Sequence, residues 1–164
     1  MKIPEVDIKH ILCTIDFSED TQYIYAYAKR MAEQFGAKMT LLHVVAEELL
    51  DLLIFDVGIE RSSGAKKRLS LLKEQFQNTR ELIIQKLKSE IDEAESANID
   101  IVVEKGNPVK VILDMSKKRN CDLIVMGFKG KGSLEDALIG NTVRRVLRRS
   151  SIPVYVVRHP GEKR

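Results

Sequence analysis

A chain of 164 residues that is 44% hydrophobic and 31% charged makes one folded, soluble domain with a sizeable core the default. Its net charge of +3 is too small to imply a nucleic-acid partner, and no window approaches the ~18 consecutive apolar residues of a membrane span. Cys13 and Cys121 lie in or beside apolar runs and read as buried, reduced thiols, and MKIPEVDIKH has no apolar core of signal-peptide length, so the expected location is cytoplasmic.

HILCTI (His10 to Ile15) reads as a buried strand, and FSED supplies a helix start with Ser18 as N-cap. Tyr23, Tyr27, Met31 and Phe35 recur in steps of four along the helix, and Gly36 ends it. MTLLHVV (Met39 to Val45) is the second strand. EELLDLLIFDVGIE is amphipathic and partly helical, with an apolar stripe suited to the core or a dimer contact. The polar, glycine-containing GIERSSGAKKR (Gly58 to Arg68) reads as a mobile loop, about residues 56–69. A long helix is expected from about Leu71 to Ala97, with Leu82, Ile83, Leu87 and Ile91 on one face.

IDIVVE (Ile99 to Glu104) is the third strand. GNP then offers Asn107 as N-cap and Pro108 as first residue of a helix running to about Lys118. CDLIVMG is the fourth strand and leads into a glycine loop. A helix follows from Asn141 to about Arg149, and PVYVV (Pro153 to Val157) is the fifth strand. Alternation of apolar strands with helices predicts a single α/β domain over residues 1–164, doubly wound around a parallel sheet.

Ligands of such sheets sit beyond the carboxyl ends of the strands, where strand order reverses. Two strands end distinctively there, the first in Asp16 and the fourth in Gly127. A carboxylate suits ribose hydroxyls, and glycines let backbone N–H groups approach phosphate oxygens. The loop MGFKGKGS (Met126 to Ser133) resembles the nucleotide loop G-x-x-x-x-G-K-[ST] but lacks its lysine before Ser133. Lys129 and Lys131 are cations suited either to phosphate or to water.

The segment Gly127 to Arg164 carries nine basic residues against three acids, a balance of +6 that leaves −3 for the rest of the chain. Arg144, Arg145, Arg148 and Arg149 read as a solvated basic face that also suits the carboxyl end of a helix. His10, His43 and His159 are isolated, no spacing resembles a metal site, and no serine stands in a G-x-S-x-G elbow. No catalytic set assembles, so an enzyme with rapid turnover is not expected.

ILCTIDFSED, LLHVV and GNPVKVILDMSKKRNCDLIVMG together resemble the universal stress protein family over nearly the whole chain. The most specific match is G-x-x-G, nine residues, then G, which here is Gly127, Gly130 and Gly140 around KGSLEDALI. The resemblance implies a Rossmann-like, adenine-nucleotide alpha-hydrolase-like fold with a five-stranded parallel sheet of order 3-2-1-4-5. The long middle region is most similar to the ATP-binding branch. By that resemblance Asp16 and Gly127 hold the ribose, with Thr14, Ile15 and Met126 alongside, and the main chain at Val44 reads the adenine. Lys129, Gly130, Gly140, Asn141, Thr142 and Val143 line the phosphate end.

Two departures stand out. The binding branch reads G-S-x-[ST] where this chain has Gly140, Asn141, Thr142 and Val143, and GFKG (Gly127 to Gly130) replaces the commoner GSHG. Asn141 is a good N-cap and is expected to cap its own helix against a phosphate, while Val143 can donate nothing. The resulting expectation is a stress-response regulatory protein that binds ATP, AMP or another adenine nucleotide weakly, with Mg2+ as accompanying ion and at most slow ATP hydrolysis. The alternative is a nucleotide-independent interaction protein of the same fold. A homodimer through strand five and an unidentified protein partner are expected, with neither membrane nor nucleic acid.

Overall fold

The computed structural model describes residues 3, 5–46, 65–91, 99–129 and 139–158. In chain order these form β1 (His10–Ile15), α1 (Thr21–Phe35), β2 (Lys38–Val45), α2 (Ala65–Glu90), β3 (Ile99–Lys105), α3 (Pro108–Lys118), β4 (Leu123–Gly127), α4 (Asn141–Arg149) and β5 (Val154–Val157). The strands make one five-stranded sheet, β3-β2-β1-β4-β5, and every pairing is parallel. Parallel strands joined by crossovers bury both faces, which is why the strand sequences are almost continuously apolar rather than alternating.

Side chains of β1 alternate between two cores. Ile11, Cys13 and Ile15 pack with Ile24, Ala28 and Ala32 of α1 and with Leu87 of α2. Leu12 faces the other way, with Leu42, Ile124 and Met126, onto Val109, Ile112 and Met115 of α3 and Val143 and Val146 of α4. The central strand is therefore sealed on both sides, and only its two ends reach the surface of the sheet.

At the amino end, polar groups satisfy one another. The Asp122 carboxylate accepts the backbone N–H groups of Lys9 at 2.9 Å and His10 at 3.0 Å. The His10 ring spans from the Arg119 carbonyl, 3.0 Å from Nδ1, to the Thr40 hydroxyl, 2.9 Å from Nε2. Thr40 is fully buried, so this bond removes the cost of an unpaired hydroxyl in the interior. Arg119 also pairs with Asp100 on β3.

Several local expectations are corrected. The buried stripe of α1 is Ile24, Ala28 and Ala32, one residue on from the expected Tyr23, Tyr27, Met31 and Phe35. Both stripes have the helical period, but alanine lets the helix lie close on β1, whereas three of the aromatic residues stay exposed. Ser18 is not the N-cap, a position held by Asp20 with no side-chain cap bond. Asp16 Oδ1 accepts the Ser18 N–H at 3.0 Å, closing a turn after which the helix starts two residues later than expected. Gly36 does end α1, with φ 64° in the left-handed region.

The long helix begins at Ala65 rather than Leu71 and is described to Glu90, while residues 92–97 of its expected course lie outside the described residues. Residues 65–69 of the expected mobile loop are thus helical, in keeping with the good helix propensity of alanine, lysine, arginine and leucine. Residues 56–64 of that loop, the EELLDLLIFDVGIE segment and His159 lie outside the described residues. Leu82, expected on the apolar face of this helix, is exposed, while Phe76, Leu87 and Ile91 are buried. Asn107 and Pro108 start α3 as expected, the Asn107 side chain accepting the Lys110 N–H at 3.2 Å.

Candidate functional site at the carboxyl rim

Strand order reverses between β1 and β4, because the chain moves outward through β2 and β3 and then returns to the opposite side of β1. The divergence of the two crossovers opens a cavity of about 310 Å³ at that point. This is the low end of the range for small-molecule sites. Thr14, Ile15 and Asp16 enter it from the end of β1, and Val44 enters from β2. Met126, Gly127 and Lys129 come from β4 and the residues after it. Gly140, Asn141, Thr142 and Val143 close the far side from the start of α4. Gly130, Lys131 and Ser133 lie outside the described residues.

The loop after β4 is tied at its base. Phe128 donates its N–H to the Val157 carbonyl at 2.7 Å and accepts the Gly140 N–H at 3.0 Å. The chain therefore leaves at Phe128 and returns at Gly140, bringing Gly127 and the start of α4 to one cavity although 13 residues lie between Gly127 and Asn141. The Phe128 ring carries the Arg158 guanidinium at 4.3 Å, an attractive cation–π contact. That contact gives the phenylalanine of GFKG a place at the edge of the site.

Gly127 is required by space. A Cβ there would stand 2.7 Å from Ile24 Cδ1 and 3.2 Å from the Lys129 carbonyl oxygen. Only a bare backbone fits between α1 and the following turn, and the same bareness keeps a flat approach open for a ligand.

Asp16 sits in an unusual turn. Its Oδ1 accepts the Ser18 N–H, and Phe17 between them has φ 58°, left-handed for a residue with a side chain. Such a conformation costs about 1–3 kcal/mol unless its surroundings enforce it. The Phe17 ring lies 4.7 Å from the His43 ring, centroid to centroid, and Lys86 of α2 places its ammonium 4.8 Å from the same ring. Among the described residues, Ser18 Oγ and Thr21 Oγ1 are enclosed without a hydrogen-bond partner, a further cost.

The start of α4 differs from expectation. Gly140, not Asn141, is the N-cap, and Asn141 is the first helical residue. The Asn141 amide oxygen accepts from the Arg144 guanidinium at 3.1 Å instead of from a backbone N–H. A residue already inside the helix projects its side chain outward, away from the free N–H groups that a cap would serve. Val143 is 3% exposed and belongs to the core below the cavity, so its methyl groups form part of the floor.

Ile24 and Ile112 also line the cavity, and sequence reasoning missed both. Each lies in the first turns of a helix that starts at the carboxyl rim, which is the signal that could have found them. Arg145, Arg148 and Arg149 are exposed on α4, around a smaller hollow of about 190 Å³. Among the described residues no group of three or more His, Cys, Asp or Glu side chains could hold a metal, and no helix is long and apolar enough to cross a membrane.

The sequence profile described as "Universal stress protein family" matches residues 7–158. A universal stress protein of Methanocaldococcus jannaschii, MJ0531, is 30% identical over 155 residues, spanning 94% of this chain and 85% of its own. The solved universal stress protein UspA from Lactobacillus plantarum superposes with a TM-score of 0.70 at 22% identity, covering 94% of this chain and 100% of that one. A universal stress protein solved in complex with cAMP has a TM-score of 0.53 at 17% identity, covering 93% of this chain and 98% of that one. The two solved structures speak for the fold.

Proposed function

The chain belongs to the universal stress protein family, and from that premise we propose that it is a stress-response regulatory protein that binds an adenine nucleotide, ATP or AMP, in the carboxyl-rim cavity. The observation that carries the reading is the convergence of Asp16, Val44 and Gly127 on one cavity at the reversal of strand order. Asp16 would accept the ribose hydroxyls, the Val44 main chain would meet the adenine edge, and the bare Gly127 backbone leaves room for the sugar. Lys129 and the N–H groups at the start of α4 would face the phosphates, where cations and an open helix end both favour negative charge. Mg2+ would arrive with the phosphates. The fit is supported by the bare backbone at Gly127, where an added carbon would collide with Ile24, another residue of the lining.

Among the described residues no assembled nucleophile and base faces the cavity, in keeping with a binding and signalling module that hydrolyses ATP slowly at most. We place it in the cytoplasm, as a homodimer through β5. That strand is the outer edge of the sheet, and its Tyr155 is half-exposed beside Tyr27, with ring centroids 6.1 Å apart. Heat-denaturing the purified protein and assaying the supernatant for ATP, ADP and AMP tests the nucleotide reading. Recovery of an adenine nucleotide near one per chain is expected, and a clean supernatant together with flat calorimetric titrations would defeat it.

A second reading, an interaction protein of the same fold that does not use ATP, is favoured by the phosphate end. Asn141 is engaged by Arg144 and Val143 is buried, so neither supplies a hydroxyl to a phosphate. It predicts the flat titrations just described and a protein partner that binds equally with and without ATP.

A further inference from the structure

We propose that His43 and Phe17 form a clamp that positions the Asp16 carboxylate for ribose recognition, an inference that rests on the nucleotide reading of the cavity. His43 holds the chain on both sides of Asp16. Its Nδ1 stands 2.9 Å from the Ile15 carbonyl oxygen, and a carbonyl can only accept, so Nδ1–H is the donor. Its ring meets the Phe17 ring at 4.7 Å between centroids and a tilt of 58°, within the range of attractive aromatic pairs. One side chain on β2 thereby fixes the residue before Asp16 and the residue after it.

The strain at Phe17 gives this arrangement its purpose. A phenylalanine left to itself would not adopt φ 58°. Relaxation to an ordinary φ would swing the Ser18 N–H away from Asp16 Oδ1, and the carboxylate would lose the bond that sets its direction. The ring contact with His43 and the Lys86 ammonium 4.8 Å from the same ring oppose that relaxation. Lys86 itself lies 3.9 Å from Glu90 one turn along α2, so its charge stays paired while it covers the ring. β1, β2 and α2 thus meet at Phe17, which stands beside Asp16 without itself lining the cavity. A glycine would make the turn without strain, but it would lack the ring through which His43 and Lys86 keep the Ser18 N–H on Asp16.

Calorimetric titration of the full chain with adenosine and with 2′,3′-dideoxyadenosine separates positioning from mere stability. The wild type is expected to prefer adenosine, since only adenosine offers ribose hydroxyls to Asp16. Phe17→Ala should weaken adenosine by about tenfold, the equivalent of one hydrogen bond to an ionised group, and move the dideoxy compound by less than about twofold. Phe17→Gly relieves the backbone, so its thermal midpoint should be no lower than that of Phe17→Ala, yet adenosine should be weakened as much. His43→Gln keeps a donor for the Ile15 carbonyl but removes the ring, and should show the same selective loss. Equal losses for both ligands, or recovery of adenosine affinity in Phe17→Gly, would overturn the clamp in favour of a purely structural role. Wild-type binding with unchanged affinity in all three variants would overturn it as well. A wild type that binds neither adenosine nor any adenine nucleotide instead overturns the nucleotide reading itself, and the clamp with it.

Discussion

The same strands end in two differently built rims. At the amino end, His10, Thr40, Arg119 and Asp122 are tied together by hydrogen bonds. At the carboxyl end, Asp16, Val44 and Gly127 surround open space, Phe17 is held in a strained conformation, and two enclosed hydroxyls lack partners. Polar groups that pair internally stabilise the fold. Polar groups held apart cost stability and are kept where a ligand can complete them. The sheet thus has one end closed by internal pairing and one end open at a cavity, and substitutions at each should fall on different measurements.

Asp16→Ala should have the largest effect on binding. Loss of two ribose hydrogen bonds to a carboxylate corresponds to about a hundredfold in nucleotide affinity, with stability changed by less than about 1 kcal/mol. Calorimetry beside urea unfolding reads both, and an equal loss of stability would erase the contrast between the rims. Asp122→Ala should do the reverse. It frees the N–H groups of Lys9 and His10 and should cost about 2 kcal/mol in urea unfolding while leaving nucleotide affinity within about twofold.

Gly127→Ala tests the boundary between the two behaviours. The added carbon meets Ile24 Cδ1, and overpacking of this kind costs about 1–3 kcal/mol. Ile24→Val removes that carbon and should restore most of the stability in the double variant, while the cavity stays narrowed and nucleotide affinity stays low. Recovery of both properties would mean that Gly127 serves packing alone.

Asn141→Ser and Val143→Thr should give smaller changes. Asn141 is exposed at the mouth and Val143 is buried in the floor, so the serine should tighten ATP by a few-fold and the threonine by less. This reverses the order expected had Asn141 been the cap, and titrations of ATP into the two variants decide it.

The smallest effect concerns the interior between the rims. Burial pushes the Cys13 thiol up from 9.0 to about 12. Burial likewise raises Cys121 from 9.0 to about 11, with Arg119 pulling it down and Asp122 pushing it up. Both thiols keep their protons in the folded protein at a pH where the unfolded chain has lost them. Their contribution is therefore intact below about pH 9 and falls as pH rises towards 12. Urea midpoints measured upward from pH 8 should decline less steeply in Cys13→Ala than in the wild type.

Much of this architecture was legible in the residues. Apolar runs separated by capped helices marked β1 to β5 in the right order, because strands buried on both faces have no polar side to display. Asn107 with Pro108, and Gly36, marked helix ends because their chemistry is local. The doubly wound arrangement followed from alternation, while the strand order, and the roles proposed for Asp16, Val44 and the glycines, came from resemblance to the family. The buried face of α1 was not legible because two stripes share one period, and only the distance to β1 separates an alanine face from a tyrosine face.

What the sequence by itself determined is the set of elements and their order, since these depend on period, propensity and caps within a few residues. Tertiary structure alone decided the turn at Asp16, where contacts from His43 and Lys86 overrule the backbone preference of Phe17. It also decided the cap at Gly140 rather than Asn141, because the hydrogen bond from Gly140 to Phe128 fixes where the returning chain becomes helical. Both outcomes rest on groups distant in the chain and adjacent in space, and no local pattern encodes such a meeting.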